Sequence, residues 1–152
     1  MIKKIILFIL CLLPWFLNNI IPLNYNYYDK IIKPFFAPPK IFYPIAWTIT
    51  YILIAMTTYT IFQSQKQKDI PNSYKITLFI NYLFNQSYTI LFFGLKNNFL
   101  GFVSCLGTLL SALFLYEESS LLNNKISKLF IPYILLSIFA TILSFSIYIL
   151  NL

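Results

Sequence analysis

The sequence predicts an all-α membrane protein: a bundle of five transmembrane helices with a loop rich in proline and aromatic residues between the first two. Three observations predict it. The chain of 152 residues is 59% hydrophobic and only 10% charged, whereas soluble domains carry about 25% charged residues. The charges are also spaced. Lys4 and Asp29 bracket 24 uncharged residues, Lys40 and Lys66 bracket 25, and Lys75 and Lys96 bracket 20. Lys96 and Glu117 bracket another 20, and 24 more follow Lys128. A membrane-spanning helix needs about 20 apolar residues at about 1.5 Å each, so five spans fit without one ionised side chain in hydrocarbon. Finally, the lysines gather in the short connections, where they anchor helix ends and meet anionic headgroups.

The first helix is read over residues 5–23. Lys3 and Lys4 followed by an apolar run resemble a secretory signal, but no small-x-small cleavage site follows the Pro14-Trp15-Phe16-Leu17-Asn18-Asn19 stretch, so the segment is taken as a span. Pro22 helps to end it, and Asn24–Lys40 forms the longest loop. The second helix runs from about Pro44 to Gln65, with Pro44 in its first turn, where a missing N–H costs nothing. The third spans about Tyr74–Leu95 and ends at Gly94. The fourth spans Phe99–Tyr116, and a polar connection over residues 117–128 leads to the fifth at about Leu129–Leu150, with Pro132 in its first turn. No repeat of fixed period and no low-complexity tract interrupts the pattern, so residues 1–152 read as one domain.

The net charge of +7 comes from eleven lysines and four acids. In a soluble protein it would point to nucleic acid; here it marks the membrane surface, and no nucleic-acid partner is expected. Seven lysines fall on the N-terminal side and four on the other, which by the positive-inside rule places the N-terminus in the cytoplasm. Cys11 and Cys105 fall inside predicted spans and are read as small apolar fillers, with neither disulfide nor metal assigned.

The Lys33-Pro34-Phe35-Phe36-Ala37-Pro38-Pro39 loop is stiff. Each proline fixes φ and removes a donor, and each preceding residue is pushed out of the α region. Tyr25, Tyr27, Tyr28, Phe35, Phe36, Phe42 and Tyr43 supply flat apolar faces around it. An interfacial aromatic belt would account for the rings. The order of the prolines points instead to a preordered cover, which closes over a cavity at lower entropic cost than a flexible loop.

These residues resemble the tryptophan-rich sensory protein or translocator protein family (TspO/MBR, the peripheral-type benzodiazepine receptors). The resemblance covers nearly the whole chain. It is carried by the loop at Lys33–Pro39, by Pro44, Trp47-Thr48 and Tyr51 opening the second helix, and by Asn85 and Phe92-Phe93-Gly94 in the third. In the fifth helix Pro132-Tyr133, Phe139-Ala140-Thr141 and Leu150-Asn151 carry it. The resemblance implies a five-helix bundle, often a homodimer, in a bacterial or organelle membrane, whose first long loop covers a pocket for tetrapyrroles such as protoporphyrin and haem. It implies that Tyr28, Pro38, Trp47, Asn85 and Ala140 line that pocket, and that the loop lies on the cytoplasmic side, against the lysine count. Tyr88 and Leu136 stand where the family has tryptophans, as do Phe36 and Ile41 in the loop, while Ser144 replaces its asparagine. Only Trp15 and Trp47 remain. Some bacterial members degrade bound protoporphyrin in light with two pocket tryptophans. Trp47 matches the first and Leu136 the second, so poor photodegradation is expected.

Acid–base or metal chemistry has little to work with: the chain has no His, and its four acids lie outside the spans. No cofactor is assigned beyond porphyrin or haem as a ligand. Without His, haem iron would find only Tyr, Cys or Met. Polar side chains at mid-membrane depth face the bundle, which marks Asn85, and less so Asn81, for ligand contact, with Lys30, Lys33 or Lys40 available to propionates. The weak cholesterol pattern Leu23-x-Tyr25-x(4)-Lys30 carries no sterol specificity. Gly107/Ser111 and Ala140/Ser144 are small-xxx-small pairs that permit close helix approach in a dimer. The function expected is ligand-binding and sensory or regulatory; a porphyrin transporter or exporter and a membrane scaffold acting through partners are the alternatives.

Overall fold

The computed structural model describes residues 2–20, 26–64 and 70–152. The described residues are helical, with no strand among them. In chain order they form α1 (Ile2–Leu12), α2 (Tyr27–Lys30), α3 (Phe42–Ser64), α4 (Asn72–Tyr88), α5 (Asn98–Ser127) and α6 (Ile131–Leu150). Pro22, Tyr25, Lys66 and Lys68 of the sequence reading, and the sterol pattern built on Leu23, lie outside the described residues.

Three boundaries differ from the sequence reading, each for a local reason. The first helix is not one α-helix: α1 ends at Leu12 and a 3₁₀ segment runs over Leu13–Ile20. Pro14 has no N–H to give the preceding turn, and its ring clashes there, so the backbone tightens. The third helix changes pitch after Tyr88, where Thr89–Gly94 form a π-helical turn. It closes through Leu95 N–H to Ile90 O at 2.9 Å and Asn97 N–H to Leu91 O at 3.2 Å. Lys96, with φ 53°, takes the left-handed position that ends it.

The largest correction concerns the fourth helix. The polar connection read over residues 117–128 is largely helical: α5 runs without a break from Asn98 to Leu122, about 37 Å at about 1.5 Å per residue against a hydrocarbon core of about 30 Å. Glu117, Glu118, Leu121 and Leu122 favour the helix, so polarity alone does not stop it. Asn123 does: its backbone leaves the helical region (φ −159°, ψ 94°) and its side chain accepts from Ile126 N–H at 3.2 Å, capping a new turn. That break turns the chain into α6.

The helices pack antiparallel to their neighbours, as paired contacts show. Phe99 meets Tyr148 and Phe102 meets Phe145 between α5 and α6. Phe8 meets Tyr59 between α1 and α3, and Phe62 meets Tyr74 between α3 and α4. Among the described residues two stretches are long and apolar enough to cross a membrane, α3 and residues 98–150; the second comprises α5 and α6, folded back on one another.

Burial runs opposite to that of a soluble protein. On α6 Leu135, Ile138, Ile142, Phe145 and Ile149, spaced by three and four, point outward, while Ser137, Thr141 and Ser144 are buried. Lipid accepts the first set, and in the second Thr141 Oγ1 donates to Ser137 O of its own helix at 2.7 Å. The centre of this inner polar face is Asn81, fully buried on α4. Its Nδ2 donates to Thr108 O at 3.1 Å and Ser111 Oγ at 2.9 Å, and its Oδ1 accepts from Tyr133 OH at 2.9 Å. One amide thus ties α4, α5 and α6, and the role expected of Asn81 as a ligand contact is taken by structure. Alongside it, Ser104 and Ser87 share a hydroxyl contact, and Ser104 Oγ donates to Phe84 O at 2.8 Å.

The small-xxx-small pairs are consumed inside the protomer. The ring of Phe84 lies over Gly107, and a Cβ on Gly101 would come within 2.8 Å of Phe92. Ser111 bonds Asn81, and Ala140 and Ser144 face inward. Gly101→Ala is therefore expected to destabilise the protein by about 1–3 kcal/mol through overpacking, because Phe92 is fully buried and cannot yield. Gly107→Ala is expected to cost less, since Phe84 is 37% exposed and can swing outward. Thermal unfolding in detergent checks the order. By the same measurement Asn81→Leu, which removes the bonds to Thr108 O, Ser111 Oγ and Tyr133 OH, is expected to cost about 2 kcal/mol and Tyr133→Phe about 1 kcal/mol.

Candidate ligand cavity

The two irregular backbone segments, the 3₁₀ stretch and the π turn, lie against the same interior space. Non-helical backbone at this depth is tolerated where protein buries it or a cavity adjoins it. The cavity has a volume of about 550 Å³, inside the range of roughly 300–1,000 Å³ usual for small-molecule sites. α3 gives it the most wall: Tyr43, Trp47 and Tyr51 recur every four residues, with Pro44 and Thr48 beside them. The 3₁₀ segment adds Trp15 and Phe16, α4 adds Asn85 and Tyr88, and the π turn adds Thr89 and Phe93. The far wall is Cys105 and Thr108 of α5 with Ser137 and Ala140 of α6. Tyr28 of α2 and Lys40 of the loop complete it.

Aromatic rings hold one another in place around this space. Tyr51 sits between the two indoles, with centroids 5.5 Å from Trp15 at 29° and 5.7 Å from Trp47 at 36°. Trp47 meets Tyr133 edge-on at 6.2 Å, beside the Asn81 hub. Toward the loop, Tyr28 and Tyr43 stand edge to face and share a hydroxyl–hydroxyl bond of 2.7 Å. Preset rings of this kind present flat apolar faces at low cost in side-chain entropy.

The polar content is small and specific. Tyr51 OH donates to Asn85 Oδ1 at 2.8 Å, and Gln86 Nε2 donates to Asn85 Oδ1 and to Trp15 O, both at 3.3 Å. Lys40 forms an ion pair with Asp29. Lys33 is occupied elsewhere: its Nζ donates to Tyr28 O at 2.8 Å and Ile31 O at 3.2 Å and lies 4.9 Å from the Tyr28 ring centre. Of the three loop lysines considered for an anionic ligand, Lys40 alone borders the cavity among the described residues.

Of the seven site residues named from sequence, the structure brings Tyr28, Trp47, Asn85, Tyr88 and Ala140 together on this wall. Pro38 and Leu136 are elsewhere. Pro38 precedes the turn in which Pro39 O accepts from Phe42 N–H at 2.9 Å, so it steers Lys40 and Tyr43 inward without facing the cavity. Leu136 lies in a shallow outer groove with Ala46, Ile49, Pro132 and Phe139. The reason is angular. Ser137 and Ala140, three apart, share the inner stripe of α6, whereas position 136 is about 100° off Ser137. Residues not foreseen as site residues include Trp15, Phe16, Tyr43, Thr48, Tyr51, Phe93, Cys105 and Ser137. The four-residue spacing of Tyr43, Trp47 and Tyr51 was visible in the sequence and could have nominated two of them. Nothing local to Trp15 could have, because Pro14 alters the pitch that sets its direction.

The loop is tied down on its N-terminal flank. The Tyr27 hydroxyl lies 3.1 Å from Lys96 O and 2.9 Å from Asn98 Oδ1. The Asn151 side chain pairs with the backbone of Ile32, accepting its N–H and donating to its O, both at 2.9 Å. Beyond these ties the Pro-rich turn sets Phe36 edge-on against Phe139 of α6, while Phe35 at its tip is fully exposed.

Helices with apolar exteriors, a polar interior and an aromatic chamber beside a tethered loop define an α-helical membrane protein with an internal ligand-sized cavity. The chain belongs to the TspO/MBR family, whose family model matches residues 5–150. It is 34% identical over 150 residues to the Tryptophan-rich protein TspO of Bacillus cereus, covering 98% of this chain and 97% of that one. It is also 34% identical over 130 residues to the protein of that name from Archaeoglobus fulgidus (83% and 80% covered), and 27% over 125 residues to the Tryptophan-rich sensory protein of Cereibacter sphaeroides (79% and 73%).

Asn151→Ala is expected to free the loop while leaving the helices folded. Hydrogen exchange at the Ile32 amide should accelerate at least tenfold with α5 and α6 amides unchanged; an unaltered Ile32 rate would mean that the side chain does not tether it.

Proposed function

We propose that this chain is a five-span membrane protein whose cavity binds tetrapyrroles or similar flat apolar ligands under a loop that acts as a lid, in a sensory or regulatory role. The spans are residues 2–20, 42–64, 72–94, 98–122 and 131–150. The observation that carries the reading is the cavity itself. Its walls combine two indoles, stacked and edge-on tyrosines and few polar groups, which suits a broad conjugated ring held by stacking and burial. Lys40 at its loop end suits a peripheral carboxylate. The family membership and the relative named as a sensory protein support the same reading. A homodimer, implied by the resemblance, would have to use the outward Ile, Leu and Phe faces, since the small-residue pairs are packed within the protomer.

Titration of the purified protein in nanodiscs with protoporphyrin IX tests the proposal. Both tryptophans border the cavity, so intrinsic fluorescence should quench saturably. An aromatic contact contributes about 0.5–1.5 kcal/mol beyond its area, so Trp47→Ala, which loses area as well, should weaken binding at least tenfold, and Tyr28→Ala less. Unsaturable quenching, or unchanged affinity in both variants, would remove the cavity as the tetrapyrrole site. Flux of porphyrin across liposomes containing the protein would instead favour transport.

Under illumination, bound protoporphyrin is expected to decay slowly. Leu136→Trp should not accelerate the loss, because position 136 opens on the outer groove and not on the ligand. Absorbance of the complex, followed against free porphyrin, decides it.

A further inference from the structure

The cavity and the outer groove lie on opposite sides of the same two helices. On α3, Phe42 and Ala46 border the groove, while Tyr43 and Trp47, each one residue further on, border the cavity. On α6, Leu136 and Phe139 border the groove, and Ser137 and Ala140 the cavity. Consecutive helical positions point about 100° apart, so the seam where α3 meets α6 is what parts lipid from cavity. Two edge-on ring pairs close it, Phe42 with Phe139 and Trp47 with Tyr133, each at 6.2 Å. Side-chain hydrogen bonds do not cross it among the described residues. Tyr51 of α3 donates to Asn85 of α4 and Thr57 to Ile126 O of α5, while Tyr133 of α6 donates to Asn81 of α4. The two ring pairs differ in freedom. Tyr133 is fully buried and held by Asn81, which fixes its pair with Trp47. Phe42 is 40% exposed and can turn outward into hydrocarbon. Phe42 and Trp47 lie five residues apart, about 7.5 Å along α3, and Tyr133 and Phe139 six apart, about 9 Å along α6. Between these rings stand Leu136 and Ala46, the smallest side chain on the groove.

We infer that α3 and α6 form a side gate through which flat apolar ligands pass between the bilayer and the cavity, with Phe42 and Phe139 as its movable closure and the Trp47–Tyr133 pair as its fixed inner edge. The inference rests on the cavity being a ligand site, as proposed above, but not on the ligand being a tetrapyrrole. The approach from water is covered by the loop, which Tyr27 and Asn151 hold in place. The approach from lipid meets ring contacts alone. A conjugated ligand also gathers in hydrocarbon, because every apolar surface it carries gains by leaving water. The groove suits its passage: its one hydroxyl, on Thr50, is spent on Trp47 O at 2.9 Å. Lys40 borders the cavity two residues before Phe42, so a carboxylate can stay at headgroup level while the flat body moves sideways.

Stopped-flow quenching of tryptophan fluorescence by protoporphyrin IX, with the protein in nanodiscs, tests this, because a gate sets rates and leaves affinity alone. Phe42 and Phe139 do not border the cavity. Phe42→Ala and Phe139→Ala should each raise the association and dissociation rates about threefold or more, the size of one aromatic ring contact, while Kd stays within about twofold. Ala46→Phe, which adds a ring between the two pairs, should slow both rates by a similar factor. Asn151→Ala, which frees the loop, should leave both rates as in the native protein. Unchanged rates in Phe42→Ala and Phe139→Ala would overturn the inference, whatever Ala46→Phe does. Acceleration of both rates by Asn151→Ala would also overturn it, by placing the entrance under the loop. A change in Kd with the association rate unaltered would mean that these rings merely support the cavity, and would overturn it too. If quenching of the native protein does not saturate, the ligand-site reading falls and this inference with it. Saturable quenching with rates insensitive to the seam leaves that reading standing and removes this inference alone.

Discussion

Everything in this protein is arranged around the need to satisfy polar groups where water is absent. The exterior is apolar because lipid is the solvent, so the helices gain little from burying leucine against leucine. What holds them in register is a set of hydrogen bonds between side chains that have no alternative partner. Asn81 is the centre of that set. Its amide uses both ends, engages three helices, and is surrounded by residues small enough to let the backbones approach. Gly107 lies under Phe84, Ser111 lies under Asn81, and Gly101 lies under Phe92. Once these contacts fix α4, α5 and α6 relative to one another, Tyr133 is placed, and through it Trp47.

The cavity follows from two departures from ideal helix geometry. A straight α-helix through Pro14 would carry Trp15 and Phe16 to other azimuths; the 3₁₀ pitch turns them inward and offers the Trp15 carbonyl to Gln86. The π turn at Thr89–Gly94 shifts Phe93 onto the same space as Tyr88. Irregular backbone is costly in hydrocarbon, and it persists here because the chamber and its polar lining lie alongside. The polar atoms of the chamber are consequently not scattered. They form a relay from Trp15 through Gln86 and Asn85 to Tyr51.

The loop shows how stiffness and tethering divide the labour. Prolines restrict the turn by themselves, while Tyr27 and Asn151 attach its flank to distant parts of the chain, more than sixty residues away in one case and more than a hundred in the other. Pro38 belongs to the first group: its effect on the cavity is through the path it imposes on Lys40 and Tyr43.

The sequence by itself determined the class of the protein. Charge spacing, a short-range property, marks where apolar segments begin and end, and a membrane leaves helix as the way for those segments to satisfy their backbones. The family motifs were legible because Trp47, Asn85 and Ala140 stand in short runs that match the family's residue by residue, and Tyr28 sits in the motif-bearing loop. Three things were decided by tertiary structure. Where α5 stops was decided by one asparagine cap at Asn123, because Glu and Leu continue a helix whatever their polarity. Whether Leu136 or its neighbour Ser137 faces the cavity was decided by the rotation of α6 about its axis, which the Tyr133–Asn81 bond holds and which a pattern of nearly uniform apolar residues does not encode. The orientation of Asn85 was decided by Trp15 and Tyr51, 70 and 34 residues away, since an amide side chain has two ends of similar shape and only its neighbours distinguish them.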